Sequence, residues 1–224
     1  EPTEQKTRVL LVDDSIESHT LMRSYFRNLP YDLEIAPDGE QAVATFQTGL
    51  FDFVLIDLHM PGLDGFTATR AMRAWEASHK HPPIPIVAVT ASSGVESQAR
   101  SLEAGCTDFL TKPITKARLL STLRTYRRSF PGTGTTPAQP AASPDLTERI
   151  DDEIRRRRPA FLANRRKDVA MMQDALGKGD YEAIRTTGHR MKGLAGSFGF
   201  PDIGAVGHRL EQAAQSRDRE AIRR

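Results

Sequence analysis

Phe53-Val54-Leu55-Ile56-Asp57 (53–57) is a continuously apolar run of strand length that stops on a carboxylate. A strand with one wet face alternates polar and apolar residues. A strand buried on both faces does not, and that is the state of strands in a parallel sheet covered by helices. The same shape recurs at Arg8-Val9-Leu10-Leu11-Val12, just before Asp13-Asp14, and at Ile86-Val87-Ala88-Val89-Thr90. Leu33-Glu34-Ile35-Ala36 and Asp108-Phe109-Leu110-Thr111 are weaker versions. Segments of helical period lie between them, over 17–29, 39–48, 65–77, 95–104 and 115–127. Five such β/α units predict an α/β domain over 1–128, a flavodoxin-like, doubly wound, five-stranded parallel sheet.

Beyond it the pattern changes. Residues 129–144 read SFPGTGTTPAQPAASP, with four prolines among Gly, Thr and Ala, and are expected to be a flexible linker. As a coil of this length it spans roughly 20–24 Å, and its prolines lengthen that. Residues 145–224 show no strand pattern and are expected to be a separate all-α bundle. Leu162, Val169, Met172 and Leu176 recur at helical spacing, followed by Ile184, Met191 and Leu194, then Ile203, Val206 and Leu210. Each set is read as one core face. The final helix is expected to be cut short at Arg224, and a chain opening Glu1-Pro2-Thr3 is read as a piece of a longer protein.

Composition narrows the class. The chain is 27% charged and 38% apolar, with no run near the roughly 20 apolar residues of a membrane-spanning helix. No membrane contact by this fragment is therefore expected, although the parent protein could be anchored. A single cysteine, Cys106, cannot form an internal disulfide, which makes a reducing cytoplasm the default and Cys106 a buried structural thiol. The first 128 residues carry a net −2 and the rest +4. The run Arg155-Arg156-Arg157-Arg158 lacks interleaved aromatics and reads as a solvated helix face, so no nucleic-acid partner is expected.

In open α/β sheets functional groups gather at the carboxyl ends of the strands. Those ends carry Asp13-Asp14, Asp57, Thr90 and, after the fifth strand, Lys112-Pro113. Clustered carboxylates repel one another, and a divalent cation relieves this. An all-oxygen ligand set with room for water suits Mg²⁺. Beside such an ion Asp57 can act as a nucleophile toward phosphorus, Lys112 can hold phosphoryl oxygens, and Thr90 can donate a hydrogen bond to them.

These residues resemble the receiver domain of two-component response regulators. The matching stretches are LLVDDS (10–15), LIDLHMPGLDG (55–65), VTA (89–91) and FLTKP (109–113), and the resemblance covers 8–128. It implies that Asp57 is the phosphoacceptor and that Mg²⁺ is bound by Asp14, Asp57 and the backbone carbonyl of His59, with Asp13 helping through water. It further implies a cis Lys112–Pro113 bond and a switch pair of Thr90 and Phe109. By the same resemblance His59 and Ser92 tune the lifetime of the phosphoaspartate.

In the second part His189 shares a helix face with Lys192, Gly193 and Gly196 at i+3, i+4 and i+7. Glycine costs about 1 kcal/mol inside a helix, so two on this face need a reason. A smooth groove that lets another protein approach a nucleophilic imidazole supplies one, with Lys192 offsetting phosphate charge. This stretch resembles the histidine-phosphotransfer (HPt) domain, through His-x-x-Lys-Gly and the Phe-Gly that follows, with FLANRRKDV (161–169) and HRLEQAA (208–214) extending it. The resemblance implies phosphohistidine on Nε2 of His189, no kinase activity in this domain, and a packing role for His208.

The two resemblances together imply a phosphorelay piece, as at the C-terminus of a hybrid sensor histidine kinase. Its expected partners are a sensor histidine kinase, in the same polypeptide or another, and a downstream response regulator receiver. Rival readings are a response regulator whose second domain is a DNA-binding output and a scaffold that transfers nothing. The first requires a recognition helix, and the second requires the intact Asp57, Lys112 and His189 to be idle.

Overall fold

A computed structural model describes residues 6–91, 95–127 and 144–224. Ser92 and all of the expected linker except Pro144 lie outside the described residues. The chain divides into two compact units, Glu1–Ala141 and Ala142–Arg224.

In the first unit five strands form one sheet: β1 (Thr7–Val12), β2 (Tyr31–Ala36), β3 (Phe53–Asp57), β4 (Ile86–Thr90) and β5 (Asp108–Thr111). Every pairing is parallel, and the order is β2-β1-β3-β4-β5. The helices between them are α1 (Ile16–Phe26), α2 (Gly39–Thr48), α3 (Gly65–Ser78), α4 (Val95–Glu103) and α5 (Lys116–Arg127). The expected doubly wound fold is the observed one. All of β3 and β4 is buried, which is why their sequences are apolar up to the terminal Asp57 and Thr90. Helix α1 ends three residues before its expected limit. Asn28 takes a left-handed conformation with φ +60, and Pro30 disfavours helical geometry at Leu29.

Asp38 and Asp64 cap α2 and α3 by accepting the backbone N–H of Gln41 and Thr67 at 2.7 Å. At the other end of α3, Arg73 pairs with buried Glu76 at 2.7 Å and donates to the carbonyls of Gly105 and Ile84. Glu76 also accepts the backbone N–H of Ile84 at 2.9 Å. This pins α3 to the edges of β4 and β5. Cys106 is buried as expected, and burial pushes its thiol pKa up, so it stays protonated.

The second unit contains α6 (Pro144–Lys178), α7 (Tyr181–Leu194), a 3₁₀ turn at Ala195–Phe198, α8 (Pro201–Gln215) and α9 (Arg219–Arg223). The inward face of α6 differs from expectation. Leu162 and Val169 are 39% and 49% exposed, while Phe161 is buried. Its ring stacks on Phe198 at 4.7 Å and on Phe200 at 5.7 Å, which turns the face one residue away from the apolar pattern. The arginine run also departs from a solvated face. Arg155 and Arg156 are exposed. Arg158 donates from Nε to the Phe198 carbonyl at 2.9 Å and lies over the Phe200 ring.

Candidate functional site

The carboxyl edge of the first unit's sheet gathers the expected groups. Asp13 follows β1, Asp57 ends β3, Thr90 ends β4, and Lys112 follows β5. The Lys112–Pro113 peptide bond is cis. The backbone N–H of Lys112 donates to the Thr90 carbonyl at 2.7 Å, which fixes where its side chain starts. Its Nζ reaches Asp57 Oδ2 at 2.6 Å and Asp13 Oδ2 at 3.1 Å.

All three of these side chains are nearly removed from water, and Asp57 is only 2% exposed. Burial works against a charged ammonium, but Asp13 and Asp57 outweigh it and raise the Lys112 pKa above its ordinary value. Asp13 is braced further, accepting Ser15 N–H at 2.9 Å and Ser18 Oγ–H at 2.7 Å. Asp57 Oδ1 accepts the backbone N–H of His59 at 2.9 Å. One carboxylate oxygen each from Asp13, Asp14 and Asp57 lies within 4.8 Å of the others. Three hard oxygen donors at that spacing fit Mg²⁺ better than a metal preferring nitrogen or sulfur. Phe109 is partly buried on β5, in register with Ala88 of the strand that ends in Thr90.

The second unit places His189 near the end of α7, whose first turn Asp180 caps. His189 Nδ1 lies 2.7 Å from Glu211 Oε1 on α8, and Lys192 Nζ donates to Glu211 Oε2 at 3.2 Å. Burial alone would raise the Glu211 pKa. The hydrogen bond and charge of His189, together with Lys192, lower it to about 2. An ionised carboxylate only accepts hydrogen bonds, so Nδ1 carries a proton, and in the uncharged form of the ring this places the lone pair on Nε2. That tautomer is the one a phosphoryl acceptor at Nε2 requires.

Three expectations about this region change, and Glu211 covers the Nδ1 edge of His189. Gly196 is not on the histidine's helix, because α7 ends at Leu194 and Gly196 falls in the 3₁₀ turn. Gly193 is buried rather than lining a surface. His208 is 48% exposed on its side chain, with Nδ1 4.0 Å from Glu211 Oε2, rather than packed between helices. Its neighbour Gly207 takes the face toward α7, and one residue along a helix turns His208 outward.

The close approach comes from a different pair of glycines. A Cβ on Gly188 would lie 2.8 Å from the Gly207 carbonyl oxygen and the Glu211 nitrogen. One on Gly207 would lie 2.6 Å from the Gly188 oxygen and the Lys192 nitrogen. The two backbones touch there, and this crossing brings Glu211 against His189. Gly207→Ala is therefore expected to destabilise the second unit by about 1–3 kcal/mol despite alanine's better helix propensity. Thermal unfolding followed by circular dichroism checks it. Glu211 itself escaped the sequence reading. Its available signal was a carboxylate one turn beyond Gly207, between Leu210 and the buried Ala213 and Ala214.

Comparison with known proteins identifies related families for both units. A family model for the response regulator receiver domain matches residues 9–124, and one for the Hpt domain matches 158–224. The sensor histidine kinase GacS of Pseudomonas protegens is 29% identical over 96% of this chain, and the match covers 25% of that protein. The chain thus spans about a quarter of the GacS-type relatives it matches. Among solved structures, Vibrio cholerae chemotaxis protein CheY4 is 30% identical with a TM-score of 0.50, covering 54% of this chain and 98% of that one. A chain in the co-crystal of the Saccharomyces cerevisiae phosphotransfer protein Ypd1 with the receiver domain of its downstream response regulator Ssk1 is 28% identical. Its TM-score is 0.53, over 55% of this chain and 89% of that one. The Hpt match covers 158–224, the region where the rival reading placed a DNA-binding output. The chain belongs to the response regulator receiver family and, with its Hpt domain, is a phosphorelay signalling module.

Proposed function

We propose that Asp57 accepts a phosphoryl group from a kinase phosphohistidine and that His189 carries it onward to, or receives it from, a receiver aspartate. The observation that carries this reading is Lys112 Nζ, 2.6 Å from Asp57 Oδ2 within a cluster of three carboxylates. A carboxylate oxygen of Asp57 attacks phosphorus while the donor's P–N bond breaks. The product is an acyl phosphate on Asp57 and a free imidazole on the donor. In the next step a ring nitrogen of a histidine attacks, the P–O bond breaks and the Asp57 carboxylate returns.

Mg²⁺ held by Asp13, Asp14, Asp57 and the His59 carbonyl would offset the negative charge of the phosphoryl oxygens. Lys112 holds those oxygens from the protein side, and Thr90 donates to them, with Phe109 following the hydroxyl. At His189 the ionised Glu211 keeps the proton on Nδ1, and Lys192 balances phosphoryl charge.

In this reading a receiver over 1–128 and an Hpt domain over 145–224 are joined by the Pro/Gly/Thr-rich residues 129–144. The partners are a histidine kinase, in the same polypeptide or another, and a separate response regulator. The working compartment is the cytoplasm. The lone thiol agrees with this, and among the described residues no helix is long and apolar enough to cross a membrane.

The test is labelling with acetyl phosphate and Mg²⁺, read by mass spectrometry that preserves acid-labile sites. The wild-type chain is expected to carry phosphate on Asp57 and His189. Asp57→Asn should lose both, and Asp57→Asn protein that still labels His189 contradicts the internal step.

A further inference from the structure

The receiver's acyl phosphate must survive long enough to be passed on, and a side chain beside Asp57 can alter how easily water reaches phosphorus. The backbone N–H of His59 donates to Asp57 Oδ1, so His59 sits directly against the acceptor, and its side chain is partly exposed. The backbone bond fixes the residue but not its ring. Phe66, in the first turn of α3, contacts the ring. The two rings meet edge to face, with centroids 6.1 Å apart and planes at 86°.

Phe66 is itself held in place. It is buried in the core, and the guanidinium carbon of Arg100 on α4 lies 4.8 Å from its ring centroid. An arginine at that distance is attracted by the ring's quadrupole and restricts the ring's movement. Arg100 is exposed and belongs to neither the carboxylate cluster nor the Lys112 pairing.

We infer that Arg100 and Phe66 are positioning residues for His59, clamping its ring across the approach to Asp57 and so lengthening the life of the phosphoaspartate. The inference rests on Asp57 being the phosphoacceptor. In the step it governs, a water oxygen attacks phosphorus opposite the Asp57 oxygen and the P–O bond to Asp57 breaks. The carboxylate is restored, and inorganic phosphate and a proton leave. A clamped ring narrows the water's path, and a loosened one opens it.

The test uses the full chain with His189→Gln, so that loss of label from Asp57 reports hydrolysis alone. The protein is loaded with acetyl phosphate and Mg²⁺, the donor is removed by desalting, and the acyl phosphate is followed with time. Arg100→Ala is expected to label at the parent rate and to lose label about three- to fivefold faster, the range a surface cation–π contact supports. Arg100→Lys, which keeps a cation over the ring, should restore most of the lifetime. The discriminating measurement is the same substitution in a His59→Ala background, where Arg100→Ala should change nothing further. An unchanged or lengthened lifetime in Arg100→Ala, or an equal effect with and without the His59 ring, overturns the clamp. Absence of any label on the parent would instead overturn the assignment of Asp57.

Discussion

Lys112→Ala is expected to lower the rate of Asp57 labelling by acetyl phosphate about 10²–10³-fold, the scale on which losing one preorganised charge contact at a transition state is felt. Lys112 is the cation that reaches both Asp13 and Asp57, and no rotation of Ser15 or Ser18 supplies a positive charge in its place. The substitution also leaves two buried carboxylates facing each other. Without a divalent ion the variant should be less stable by about 3–5 kcal/mol, the usual consequence of removing one partner of a buried pair.

Mg²⁺ should recover much of that stability, because a divalent cation restores the missing positive charge. Chemical denaturation with EDTA and with Mg²⁺ measures both states. A variant equally stable in the two conditions would contradict the cluster's metal-binding role. The wild-type pH profile has a definite sign. The folded-state pKa of Lys112 is raised, so its contribution is complete below the ordinary lysine value and is lost only as pH climbs through the folded one. Stability from this pair should therefore be flat from pH 6 to 9, a window of about three units below the ordinary value of ~10.4.

Glu211→Ala should slow phosphoryl transfer through His189 by about 10²-fold, the lower end of what a positioned proton partner contributes. The variant frees Nδ1 and lets the ring proton distribute over both nitrogens, so the lone pair is no longer directed to Nε2. Single-turnover transfer from a loaded receiver measures this. Glu211→Gln, which keeps the shape but presents either an oxygen or an NH₂ group to the ring, should fall between the two. Glu211 also carries an acid signature. Its pKa is lowered to about 2, so its pairing stabilises the fold above the ordinary glutamate value and is lost as pH falls from ~4.3 toward 2. Acid unfolding of Glu211→Gln should show a smaller loss across that window than the wild type.

The receiver half was readable because its physics is local. A strand buried on both faces reads as a run of apolar residues, and residues 9–12, 53–56 and 86–89 do so up to the polar groups at their carboxyl ends. The groups on their carboxyl ends then converge by topology alone, which is why Asp13, Asp57 and Lys112 were found from spacing. The helical half depends on which faces meet. Leu162 and Val169 repeat at helical spacing as well as Met172 does, yet Phe161 faces inward, because Phe198 and Phe200 arrive there from much later in the chain. Glu211 was missed for the same reason, since nothing in the α7 sequence encodes which residue of α8 crosses it. The arginine run hid its exception, Arg158, whose carbonyl partner belongs to a turn that periodicity does not reveal.

Where α7 crosses α8, peptide atoms meet peptide atoms, at Gly188 and Gly207. The distance from imidazole to carboxylate is thus set by the radii of main-chain oxygen and nitrogen. Side-chain bulk elsewhere in a protein can be trimmed or extended in small increments, so gaps drift gradually under mutation. Here the smallest change in side chain at either residue is a whole methyl group, and it forces the rods apart in one step. Adjustment of the histidine's reactivity in descendants of this sequence must come from the identity of the acid at position 211 or the base at position 192, because the spacing between the helices offers no intermediate settings.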